Sequence, residues 1–278
     1  MEHFIADLGF TEGPVNCQDG AFAATAIDRG EIAIVRDGKA GVLATTGGGP
    51  NGLVEAKGGV FYLCQNGGVW PALNHIRREP GVQKIAADGT VSYVATGMTA
   101  PNDLAFGPDG LLYVTDPTRK PERNDGRVWR LNVETGQCDK ILHVDWYPNG
   151  IGFGPDDDQI ILADTGLRRL VAVPRKDPSP DKARTLFTMT VGMPDGFAFD
   201  REGNVVVAAV GVKEDEPGTV QVWSPAGKCL EVIELKRTRF ITNVSISAAR
   251  KLYICDSGNH GVVVRDWPTA GLPLHPFR

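Results

Sequence analysis

Long apolar runs are missing from this 278-residue chain, and with them any 18-residue span able to cross a membrane as a helix. The opening MEHFIADLGF has neither an apolar core nor a basic lead, so no signal peptide is expected and a cytoplasmic setting follows. No stretch carries a sustained 3.6-residue apolar period bounded by caps, which leaves almost no helix. Positive charge is also scarce: the net charge is −5, whereas a nucleic-acid surface needs clustered Lys and Arg. The one short basic run, Lys236-Arg237-Thr238-Arg239, reads as a solvated turn. Neither a membrane nor a nucleic acid is an expected partner.

Familiar catalytic signatures are absent as well. Five cysteines, Cys17, Cys64, Cys138, Cys229 and Cys255, are odd in number and contain no CxxC pair, so they read as small strand hydrophobes rather than a disulfide framework. The five histidines lack metal-ligand spacing. No G-x-S-x-G elbow, H-E-x-x-H or P-loop occurs, and no helix follows Gly150, Gly152 and Gly154 to make a dinucleotide fingerprint. Nucleophilic-serine, zinc-histidine and nucleotide chemistry drop out.

What the chain does have is a repeat. Six times a short hydrophobic strand opens with one oxygen-bearing residue and runs through a turn into a second strand. The residues are Glu12, Asn51, Asn102, Asn149, Asp195 and Asn243, spaced by 39, 51, 47, 46 and 48 positions. Pieces of strand length, rich in Val, Ile, Tyr and Phe and alternating in twos, fit a four-stranded propeller blade of that period. In the third unit the expected strands are Asn102 to Phe106, Leu111 to Thr115, Gly126 to Leu131 and Gln137 to Leu142, with Gly107-Pro108-Asp109-Gly110 as the first turn. The prediction is an all-β, six-bladed β-propeller over residues 1–278, a single domain with four-stranded antiparallel blades around a central channel. The last clear strand, Gly261 to Asp266, leaves blade six one strand short. The N-terminal HFIADLG is expected to supply it and remove the open sheet edge.

In a propeller the six repeat-equivalent residues converge on one axis. An asparagine before glycine suits a left-handed turn, which accounts for Asn51 and in part for Asn149, but not for Glu12 or for Asn102 and Asn243, which glycine does not follow. Two carboxylates on a low-dielectric axis repel unless something cationic lies between them. A hard divalent ion on Glu12, Asn149, Asp195 and Asn102 balances both charges. Oxygen donors of this kind suit Ca2+ best, with Mg2+, Mn2+ or Zn2+ as the other candidates.

Several motifs carry a resemblance: TEGPV at the first blade, the PND…G.LYVTDP run at 101 to 117, PNGI…ADT at 148 to 165 and PDGFAFD at 194 to 200. Together, and across essentially the whole chain, they resemble the senescence-marker-protein, gluconolactonase and luciferin-regenerating-enzyme family of six-bladed propellers. Diisopropylfluorophosphatase and the paraoxonases are similar in fold and in their Glu, Asn, Asn, Asp constellation. The resemblance implies a divalent metal on Glu12, Asn149 and Asp195, with Asn102 touching substrate or metal. It departs at one place: sugar-lactonase members can carry an arginine two residues before the third-blade asparagine, where this chain has Ala100.

Such a site supports metal-assisted hydrolysis of a cyclic ester, with Asn102 as a second hydrogen-bond donor to the oxyanion and Asp195 as base or nucleophile. The small-molecule substrate is then a lactone or ester, and the protein a monomer or homodimer. Specificity is expected from loops: Gln65 to Gly81, which carries Trp70 and His75; Pro117 to Gly126, which carries Arg119 and Arg123; and the acidic Gly211 to Gly218. Trp70, His75, Trp146 and Tyr147 point to an apolar or aromatic pocket, favouring a hydrophobic or aromatic lactone over a sugar; Asn51, Asn243 and Arg119 are further substrate-binding candidates. Two other readings share the scaffold. A metal-dependent isomerase or lyase would use the same ligands, with Asp195 taking a carbon-bound proton. A non-catalytic binding propeller would hold no ion and would be indifferent to Glu12 and Asp195.

Overall fold

The computed structural model describes residues 2–69, 76–118, 125–235 and 238–278. Six four-stranded antiparallel sheets follow one another along the chain. They form a six-bladed β-propeller whose inner strands are Thr11–Asn16, Pro50–Ala56, Leu104–Phe106, Pro148–Phe153, Met193–Phe199 and Ile241–Ile246. Among the described residues the only helical pieces are two single 3-10 turns, Pro180–Lys182 and Ser257–Asn259.

The core lies between blades rather than within one. Tyr62, Cys64 and Val82 of blade two interleave with Leu104, Leu112 and Leu131 of blade three, and Phe187 of blade four stacks on Trp223 of blade five at 4.1 Å. A second strand is therefore covered on both faces, which is why Val205–Val210 reads VVVAAV without polar alternation. Outer strands keep one face in water, as in Lys39–Thr45. The cysteines pack: Cys64 and Cys255 are fully buried. Burial pushes the Cys17 thiol up to about 12 and holds that of Cys255 well above its usual range.

Closure runs through the first strand. Glu2–Ile5 pairs antiparallel with Gly261–Asp266, Glu2 opposite Arg265 and Ile5 opposite Val262, and completes blade six. Just beyond the strand, the Leu8 amide donates to the carbonyl of His260 at 2.8 Å. In blade three the inner ladder begins at Leu104, two residues later than the pattern suggests, and the second and outermost strands are Leu112–Asp116 and Cys138–Val144. The late start has a local cause. Asn102 and Asp103 leave the regular ladder to bond Thr115: the Asn102 amide donates to the Thr115 carbonyl at 2.8 Å and the Thr115 amide to the Asp103 carbonyl at 2.9 Å.

Candidate active site

Five of the six ring residues sit at a fault in their sheet. The register of the inner strand slips between Glu12 and Val15, Pro50 and Leu53, Pro148 and Ile151, Pro194 and Phe197, and Ile241 and Val244. A bulge re-aims a side chain, and in five blades it falls at the oxygen-bearing residue; in blade three Asn102 instead precedes the regular ladder, which begins at Leu104. Four of the residues that follow are glycines packed against the next blade. A Cβ on Gly13 would lie 2.7 Å from the Asn51 carbonyl oxygen, one on Gly52 2.9 Å from that of Asn102, one on Gly150 2.4 Å from that of Asp195, and one on Gly196 2.0 Å from the Asn243 side chain. Gly13 alone of the four has a positive φ, +48°. The asparagine-glycine pairs at 51–52 and 149–150 are thus not left-handed turns. They mark where neighbouring blades touch.

The ring residues differ in how they are held. Glu12, Asn51, Asn102, Asn149 and Asn243 are buried, and Asp195 keeps partial exposure. Asn243 Nδ2 donates to Glu12 Oε2 at 3.1 Å, and its Oδ1 accepts from the Val244 amide at 2.8 Å. Both its polar ends are engaged, so it orients Glu12. Asn149 Nδ2 donates to Thr165 Oγ1 at 3.1 Å. The Oδ1 atoms of Asn149 and Asn51 are buried with no partner, and an unpaired buried acceptor is costly unless something fills it. Among the described residues no three Asp, Glu, His or Cys side chains converge, so the donors here are two carboxylates and neutral amide oxygens. That is the chemistry of a hard cation site, and the residues fit one.

Sequence reasoning passed over two groups. Asp103 opens partly onto the channel, with Oδ1 accepting from the Leu104 amide at 2.9 Å and Oδ2 from the Ile151 amide of the next blade at 3.3 Å. Its depth in the channel, and then the charge of Glu12, push its pKa up to about 7. A belt of hydroxyls ties the blades just outside the ring. Thr115 donates to the Asn149 carbonyl at 2.6 Å, Thr165 to that of Pro194 at 2.8 Å, and Ser257 to that of Thr11 at 2.6 Å. Its sequence signal was present in the second-strand endings VTD, ADT and CDS.

The surrounding wall is partly described. Trp146 is buried in the core between blades three and four, 5.9 Å from the Arg169 guanidinium carbon over its ring. Tyr147 is half-buried. In the acidic loop, Glu216 accepts from the amides of Val212 and Gly192, at 3.2 and 3.4 Å, and so ties the loop to the segment entering Asp195. Trp70, His75, Arg119 and Arg123 lie outside the described residues.

Residues 10–257 match the model of the SMP-30/Gluconolactonase/LRE-like region, and the chain belongs to that family. Among curated relatives, a gluconolactonase from Zymomonas mobilis is 25% identical, the match covering 95% of this chain and 80% of that protein. Solved structures with the same fold include a gluconolactonase from Xanthomonas campestris, with TM-score 0.79, 22% identity and coverage of 96% and 89% of the two chains. Regucalcin from Agrobacterium tumefaciens, a calcium-binding protein, superimposes with TM-score 0.78 at 19% identity, over 99% and 95% of the chains.

Proposed function

We propose that this protein is a lactonase, hydrolysing a cyclic carboxylic ester with the help of one divalent cation, Ca2+ first among the candidates. Glu12, Asn149, Asp195 and Asn102 would hold the ion. When bound, it supplies a Lewis acid that polarises the ester carbonyl and takes up charge developing on its oxygen. Asn102 donates a second hydrogen bond to that oxygen, a contribution worth about 3 kcal/mol where such donors have been removed elsewhere. Asp195 takes the proton of the attacking water at a carboxylate oxygen, and Asn243 keeps Glu12 aimed at the axis.

One observation carries the reading: buried amide oxygens of Asn51 and Asn149 without partners, on an axis that also bears Glu12 and Asp195, in a chain of this family. For the substrate, Ala100 takes the place of the arginine that the resemblance implies for polyhydroxylated acids, and Tyr147 is half-buried. A hydrophobic or aromatic lactone is favoured.

The test combines elemental analysis and thermal unfolding, before and after chelation, with a lactone screen that includes gluconolactone and dihydrocoumarin. Wild type should carry one equivalent of ion, lose stability on chelation and turn over a lactone. Glu12→Gln and Asp195→Asn should lose the ion and at least about 100-fold in kcat/KM. Folded protein with no restorable ion and no lactone turnover would leave the binding propeller in front.

A further inference from the structure

One cavity follows the inner strands away from the residues at their starts. It occupies about 590 Å3 along the channel, from Asp103 and Asn243 to the far ends of the inner strands. The segment Gly271–Arg278 forms part of its floor. That segment is tied across three blades: Gly271 bridges Asp200 and its amide donates to the Ser247 carbonyl at 3.3 Å, the Leu272 amide donates to the Phe199 carbonyl at 2.8 Å, and Arg278 Nη1 donates to Asp157 and the Gly154 carbonyl, each at 2.9 Å.

The walls of this chamber have a definite chemistry. Phe106, Phe153, Phe197 and Phe199 contribute aromatic surface from three successive blades. Blade two contributes Glu55, which is 7% exposed. Its Oε2 accepts from the Gln18 amide at 2.8 Å, a bond that a neutral amide oxygen would make as well. No ion pair to Glu55 occurs among the described residues, and the charge that bears on it is a like one, Asp19. Of the basic groups at the chamber, Arg278 and His275 are both engaged by Asp157, and Arg201 stands at the exposed rim. A carboxylate in such surroundings destabilises the empty protein and becomes favourable when a cation meets it. Aromatic faces add to the attraction for an organic ammonium group.

We propose that this lower chamber is a second ligand site, for a small organic cation with an apolar body, its ammonium group on Glu55 and its body among the four phenylalanines. The chamber meets the ring at Asn243, but its Glu55 end lies in blade two and does not depend on lactone chemistry. Anionic molecules of the same shape are disfavoured by Glu55 on its wall.

The test uses the full-length, ion-loaded protein with phenethylamine as probe and phenylacetate as the control of opposite charge, followed by calorimetric titration and thermal unfolding. Phenethylamine should bind and raise the unfolding temperature; phenylacetate should do neither. Glu55→Gln should weaken phenethylamine at least tenfold. Ala105→Leu, which narrows the chamber from blade three without touching Glu55, should weaken it too and decides the matter if the first variant does not fold. No binding to wild type at about 10 mM, equal binding of phenylacetate, or affinity unchanged in Glu55→Gln or in Ala105→Leu would each overturn the proposal and leave a solvent-filled channel.

Discussion

Gly196 has no room for a methyl group, because a Cβ there would lie 2.0 Å from two atoms of Asn243, the side chain that holds Glu12. Gly196→Ala should therefore destabilise by about 1–3 kcal/mol through overpacking and lower activity by turning Asn243 away. Combining it with Asn243→Ala should recover part of that loss, with a coupling of about 0.5–3 kcal/mol in denaturant unfolding; strict additivity would mean the two do not press on each other. Glu55 offers a test by pH. Burial raises its pKa above the ordinary 4.5, so the folded protein holds the proton more tightly than the unfolded chain. The associated stability is fully present below about 4.5 and is lost as pH rises through the higher folded value. Unfolding of wild type and Glu55→Gln in urea should thus diverge in favour of the variant as pH rises above about 4.5, and parallel curves would contradict the burial.

At the scale of the element, the bulged inner strand is the unit that makes the site. A regular strand would turn alternate side chains to its two faces, and in five blades a slip of register re-aims the residue at the start of the inner strand. The bulges are braced by the second strands. Thr115 Oγ1 donates to the Asn149 carbonyl at 2.6 Å and accepts from the Asp103 amide at 3.0 Å. Thr115→Val keeps the volume and removes both bonds. It should cost about 1–3 kcal/mol of stability and weaken ion binding several-fold by freeing Asn149, measured by unfolding and by competition with a chelating dye. An unchanged affinity would show that the hydroxyl belt holds the blades without setting the donors.

For the whole molecule, closure is the decisive step. Four residue pairs between Glu2–Ile5 and Gly261–Asp266 join the two ends of the chain, and without them blade six would present a bare edge. Deleting residues 2–6, which spares the fully buried Leu8, should lower stability by about 2–4 kcal/mol from lost backbone pairs and the burial of Phe4 and Ile5. It should also promote self-association through the exposed edge, visible by light scattering. A monodisperse variant with unchanged unfolding would remove the clasp from the account.

The fold was legible because its determinants are local and repeated. A period in the forties, paired strands and Gly-Pro-Asp-Gly turns specify a blade, and six blades specify a ring. The unpaired strand at Gly261 to Asp266 even called for its partner at the N-terminus. The candidate donors stand out in the sequence for the same reason, as one oxygen-bearing residue recurring at a fixed place. Their division of labour was not. That Asn243 orients Glu12 while Asn149 and Asn51 leave oxygens unpaired depends on atoms brought together from positions as far apart as 12 and 243. The asparagine-glycine pairs misled for a related reason: the sequence by itself determined that a side chain larger than hydrogen was absent there, but only the tertiary structure decided whether a turn or a neighbouring blade required it. Asp103, the hydroxyl belt and the lower chamber with Glu55 belong to that second kind. Their charge and hydrogen-bond state come from burial and from neighbouring blades, which side-chain type and spacing do not encode.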